Sequence, residues 1–276
     1  MQILQVSWDV SPEIFQIGSL AVRWYGLFWA LSFYIGYEII LRIFKKEGLP
    51  VKHVDSLLIY MAIGIIAGAR LGHCFFYDFS YYISNPVEIL YIWQGGLASH
   101  GGAIGIVIAL YYYQRKVSSK SFLWLLDRLI IPFALGAFFI RMGNLMNSEI
   151  YGIETSLPWG FIFENRGEIV PKHPTQIYEG GAYLVLLAIL SWMYVKKRKL
   201  IPEGFMTGFF GVFMFTARFS IEFIKEPQSP FEADMLLNMG QILSLPGIIA
   251  GIVLMVYSLK KRKKDQAHNK KMAGRL

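Results

Sequence analysis

The feature that most limits how this chain can fold is a series of seven apolar runs, at roughly 19–41, 54–76, 97–113, 121–140, 176–195, 203–224 and 238–259. Each approaches or reaches the ~20 residues that a helix needs to cross a bilayer. Hydrocarbon offers no partner to a backbone N–H or C=O, so such segments are expected to be helical. At 55% hydrophobic and 16% aromatic residues the chain is too apolar for an ordinary soluble domain. The expected class is therefore an all-α polytopic membrane protein of about seven transmembrane helices. Nineteen of the 27 Lys and Arg fall in 42–52, 115–120, 196–199 and the stretch from 260 onward, which are every second connection. By the positive-inside rule these face the cytoplasm, which places the N-terminus outside and the C-terminus inside and requires an odd number of spans. The net charge of +8 then reports orientation and attraction to anionic membrane lipids; no nucleic-acid partner is expected.

The expected organisation is one membrane domain over 1–259, with 148–175 as a small external cap and 260–276 as a basic cytoplasmic tail. The first residues carry Asp9, Pro12 and Glu13 and no basic n-region, unlike a cleaved signal peptide. Cys74, the single cysteine, leaves no internal disulfide and reads as a small core residue of the second span.

The densest polar stretch is RMGNLMNSEIYG (141–152), directly after the fourth apolar run. If the helix continues past Ile140, Arg141, Asn144 and Asn147 recur every three residues on one face, with Glu149 near it. An arginine at the end of a span can be a snorkelling anchor. An anchor, however, needs no amides or carboxylate behind it, whereas a site for an anionic group needs a planar fork of donors and partners that hold it still. The stretch is read as an anion site.

Other polar residues sit where lipid would offer them nothing. Arg70 lies inside the second span and must be paired or wet, and Gly64, Gly68 and Gly72 share a face suited to close helix approach. His100 heads the third span between glycines, which are expected to leave the backbone open to something bulky. Glu179 lies just inside the fifth span and needs a partner. Arg218 and Glu222 stand four apart on one face of the sixth, where an internal i,i+4 ion pair is one reading open to them, and Lys225-Glu226-Pro227 is read as a stop signal. Asn238 and Gln241 open the seventh. The alternation of spans puts all of these, with Tyr25 at the head of the first, at the level of the outer leaflet, where an anionic lipid headgroup is the expected ligand.

Taken together, GGLASHGG (95–102), RMGNLMNSEIYG (141–152), HPTQIYE (173–179), RFSIEF (218–223) and NMGQILSLP (238–246) resemble the prolipoprotein diacylglyceryl transferases of bacterial cytoplasmic membranes, in the family's order and from Arg23 to about Pro246. The resemblance implies transfer of the sn-1,2-diacylglyceryl group from phosphatidylglycerol to the lipobox cysteine of a preprolipoprotein signal peptide, with release of glycerol phosphate and no metal or organic cofactor. It implies that Arg141 binds phosphatidylglycerol, with Asn144, Asn147, Glu149 and Gly152 completing the signature. Arg218 and Glu222 match a second Arg/Glu pair implicated in catalysis, His100 matches the histidine of the His-Gly-Gly motif, and Tyr25 matches a tyrosine on the first span. The loop KEPQSPFEADML departs from the commoner forms.

On that reading the nucleophile belongs to the peptide, so no internal Ser-His-Asp or Cys-His set is needed. Two guanidiniums suit a phosphodiester and the charge that grows on the leaving group. Either His100 or Glu149 is available to take the proton of a thiol whose pKa is near 8.5, and an orienting role for His100 stays open. The alternative is a protein that binds or transports anionic lipid without chemistry. A transporter would show a midplane site and repeated halves, and neither is evident. For an intramembrane serine protease, Ser99 and His100 are helix neighbours that point apart.

Overall fold

The computed structural model describes residues 5–18, 20–227 and 235–273. Three short strands come first: β1 (Val6–Trp8), β2 (Glu13–Ile17) and β3 (Leu20–Arg23). Helices α1 (Trp24–Lys46), α2 (Lys52–Phe76), α3 (Phe79–Ser84), α4 (Ser99–Lys116) and α5 (Phe122–Met146) follow, then strand β4 (Phe161–Phe163). The chain ends in α6 (Thr175–Trp192), continued by a π-helical turn at Met193–Lys197, α7 (Phe205–Glu222) and α8 (Met239–Ala273).

Each predicted apolar run is occupied by a long helix. Five of these, α1, α2, α5, α6 with its π turn, and α8, are long and apolar enough to cross a membrane. The other two, α4 and α7, have 18 residues each and include their polar ends, Ser99-His100 and Gln114-Arg115-Lys116 in one, Arg218, Ser220 and Glu222 in the other. The described chain is thus a mostly helical, multi-pass membrane protein. It divides into two compact units, one made of residues up to Ile39 and from Leu126 onward, the other Ile40–Leu125.

In the first unit α7 and α8 run antiparallel. A side chain at Gly208 would meet Met255 at 2.6 Å, and one at Gly240 would meet the Glu222 carboxylate. Helix α6 buries a stripe of Glu179, Tyr183, Leu186 and Leu190, the i, i+4, i+7, i+11 spacing of one helical face. The start of α7 is held by Asp127, which accepts from the N–H groups of Gly204 (2.7 Å) and Thr207 (2.8 Å) and from the Thr207 hydroxyl (2.7 Å). These are the donors that a helix N-terminus leaves unpaired.

The N-terminal strands were not foreseen. β1 pairs in parallel with β4, Val6 opposite Phe161 and Trp8 opposite Phe163, and β2 and β3 form a hairpin that feeds α1. The Trp8 indole N–H donates to the Leu145 carbonyl at 3.1 Å. The segment expected as a cap is ordered by bridges of Lys172 to Glu154 and Phe161, and of Gly152 to Lys225.

In the second unit α2 and α4 pack antiparallel through glycines. A Cβ on Gly64 would stand 2.6 Å from the Gly105 carbonyl oxygen, and one on Gly72 would stand 2.6 Å from the Gly101 Cα. Gly101, expected to leave the backbone beside His100 open, is filled by α2. Arg70 is 3% exposed and resolves its charge on backbone: its guanidinium donates to the carbonyls of Glu88 (2.5 Å), Ile89 (2.9 Å) and Gly95 (2.7 Å). It ties the connection after α3 to α2. Cys74 is 2% exposed, a core residue as expected.

Candidate functional site

Helix α5 does run on past Ile140, to Met146, so the arginine and the first asparagine share a face. Arg141 Nη1 donates to Asn144 Oδ1 at 3.0 Å. Asn144 Nδ2 donates in turn to Glu149 Oε1 at 2.8 Å, and Asn147 Nδ2 reaches the same oxygen at 3.3 Å. Ser148 and Ile150 adopt positive φ, 51° and 62°. This turn folds Glu149 back over the helix end, a conformation rare for a β-branched residue. The turn is fixed from outside, because Gln176 Nε2 donates to the Glu149 carbonyl (2.8 Å) and the Thr175 hydroxyl donates to that of Ile150 (2.8 Å).

The partner that Glu179 required is Arg141, whose Nε forms an ion pair with Glu179 Oε2. Glu179 is fully buried, and its second oxygen accepts from Lys225 Nζ at 2.8 Å. Lys225 also bonds Glu222 Oε2 at 3.0 Å. The result is a buried chain of alternating charge, Arg141–Glu179–Lys225–Glu222. Such groups are tolerated away from water only when paired in this way.

The i,i+4 ion pair open to Arg218 and Glu222 is not the one that forms. Among the described residues Glu222 pairs with Lys225, three positions on, and not with Arg218. Lys225 was read only as part of a stop signal. The legible clue was that Glu222 and Glu179 are two carboxylates in apolar helices, and a further cation within a turn of either was the economical partner. Arg218 is left with a buried Nε that makes no hydrogen bond among the described residues. At the start of α8, Asn238 Nδ2 donates to the Glu222 carbonyl (3.4 Å), and Gln241 N–H donates to Asn238 Oδ1 (2.9 Å).

Two glycines are demanded by close approach. A Cβ on Gly143 would stand 2.5 Å from Tyr25 Cδ2, and one on Gly152 would stand 2.7 Å from the His173 Cβ. Tyr25 therefore lies against the backbone of the Arg141 stretch. Gly152 is where that stretch joins the connection to α6, its N–H donating to the His173 carbonyl at 2.8 Å.

His100 belongs to the second unit. It is exposed and lines a cleft of about 510 Å³ with His73, Tyr77, Gly96, Leu97 and Ala98. No group of three or more His, Cys, Asp or Glu able to hold a metal exists among the described residues.

A family model described as prolipoprotein diacylglyceryl transferase matches residues 12–257. The chain belongs to the prolipoprotein diacylglyceryl transferase family. Curated relatives that carry the name phosphatidylglycerol--prolipoprotein diacylglyceryl transferase include those of Tolumonas auensis, 45% identical over 92% of this chain and 98% of the relative, and Chloroherpeton thalassium, 43% identical over 93% and 95%. A third, from Porphyromonas gingivalis, is 45% identical over 92% and 95%. The family match spans Tyr25, His100, the Arg141 stretch, Arg218 and Glu222.

Proposed function

We propose that this chain transfers the sn-1,2-diacylglyceryl group of phosphatidylglycerol to the lipobox cysteine thiol of a preprolipoprotein, the first step of lipoprotein maturation. The observation that carries this reading is an arginine fork, Arg141, clamped by Glu179 and Asn144, in the same unit as Arg218, whose buried Nε has no acceptor among the described residues. A guanidinium is a donor only and suits the paired oxygens of a phosphodiester.

Arg141, with Asn144, Asn147 and Gly152 shaping its surroundings, holds the lipid phosphate. Arg218 stabilises the charge that grows on the departing glycerol phosphate. Glu222 fixes the end of α7 through Lys225, and Tyr25 orients the headgroup. The thiol sulfur bonds to the glyceryl carbon that carried the phosphate oxygen, that C–O bond breaks, and glycerol phosphate leaves with the electron pair. The thiol proton passes to His100 or Glu149. Seven spans with the N-terminus outside place the chemistry near the outer leaflet of the bacterial cytoplasmic membrane. Residues 1–259 form one catalytic domain capped by 148–175, and 260–276 lie on the basic cytoplasmic side.

The test is a peptide with a lipobox cysteine, incubated with purified protein and phosphatidylglycerol and weighed by mass spectrometry. The reading predicts a diacylglyceryl mass gain that a Cys→Ser peptide does not show. No gain from folded protein would favour lipid binding or transport without chemistry.

A further inference from the structure

Tyr183 lies one turn beyond Glu179 on the buried stripe of α6 and is 1% exposed. Its buried hydroxyl donates to no acceptor among the described residues, and its oxygen faces the Arg141 guanidinium as a donor. The charges that act on it are Glu179, Arg141 and Arg218. The Glu179 carboxylate is already engaged by Arg141 and Lys225. The two guanidiniums offer only donors, so neither can accept from a phenol. Tyr183 OH and Arg218 Nε are thus buried donors without an acceptor in the described protein, and the fixed fork of Arg141 stands with them. A buried donor left unpaired costs stability, and an external anionic acceptor would relieve that cost.

We propose that the Tyr183 hydroxyl is a third ligand of the lipid phosphate, donating a hydrogen bond to a phosphoryl oxygen held by Arg141 and Arg218. The inference rests on the transferase reading above. The shared chemistry is an anionic phosphoryl oxygen, of the bound phosphodiester or of the phosphate monoester as it departs.

Tyr183→Phe removes the hydroxyl and keeps the ring that fills the stripe. Since that hydroxyl donates to no acceptor in the described protein and loses only its contact with Arg141, the variant is expected to unfold near the wild-type temperature. Its kcat/KM for phosphatidylglycerol should fall about tenfold to a hundredfold, as for loss of a hydrogen bond to a charged group. A rise in KM assigns the bond to the bound lipid, and a fall in kcat alone assigns it to the leaving group. Wild-type kcat/KM in Tyr183→Phe would overturn the proposal, and so would an unfolding temperature lowered by several degrees, which would reveal an acceptor within the protein. Wild type and Arg141→Ala run beside it. An inactive wild type would defeat the transferase reading, whereas an active wild type matched by Tyr183→Phe would defeat this inference alone.

Discussion

Arg141 presents a planar fork whose direction is set from two sides, Glu179 on Nε and Asn144 on Nη1. Lysine would keep the charge and lose the fork. Arg141→Lys should therefore fold normally and lose about tenfold to a hundredfold in kcat/KM; wild-type activity in that variant would contradict bidentate binding. Gly143 makes a second residue-level prediction. An alanine there would push a methyl into the Tyr25 ring at 2.5 Å, a ring that can swing aside. The expected result is a near-normal unfolding temperature with reduced turnover, and full turnover would show that the placement of Tyr25 does not matter. The sequence made Arg141, Asn144 and Glu149 legible as one face because helical period alone brings them together. It showed Lys225 only as a cation within a turn of Glu222, because the bond to Glu179 joins residues 46 apart in the chain, and it gave no sign of Tyr183, whose position on a buried stripe looks like ordinary packing.

At the level of elements, close helix pairing and the connection into α6 each carry a prediction. The pairing of α2 with α4 leaves no room for side chains at Gly64 or Gly105. Gly105→Ala should destabilise the folded protein by about 1–3 kcal/mol through overpacking, read as a lower unfolding temperature in detergent. In the connection between α5 and α6, burial lowers the pKa of His173 below its ordinary 6.5. The folded chain then binds that proton less readily than the unfolded one, so the stabilisation is complete above about 6.5 and is lost as pH falls below it. Unfolding temperature should decline with acidification through that range, and His173→Asn should flatten the decline. The apolar runs announced the long helices because lipid enforces them. The strands β1 to β4 stayed hidden because they are three to five residues long and paired by tertiary contact, with Pro12 and Gly18 breaking any alternation.

For the molecule as a whole, orientation rests on the basic connections, and one buried cysteine makes it measurable. Because Cys74 is 2% exposed, a membrane-impermeant thiol reagent should ignore the native chain in intact cells. It should label Ser156→Cys and spare Lys199→Cys until the membrane is opened; the reverse would invert the topology. Transfer, on the proposed reading, depends on the Arg141 site holding the phosphodiester. Its most direct measurement counts thioether and glycerol phosphate together for purified wild type and for a demonstrably folded Arg141→Ala. Wild type should release one glycerol phosphate per diacylglyceryl peptide, and the variant should lose both products. Equal product from the variant, or peptide modification without glycerol phosphate, would contradict that reading.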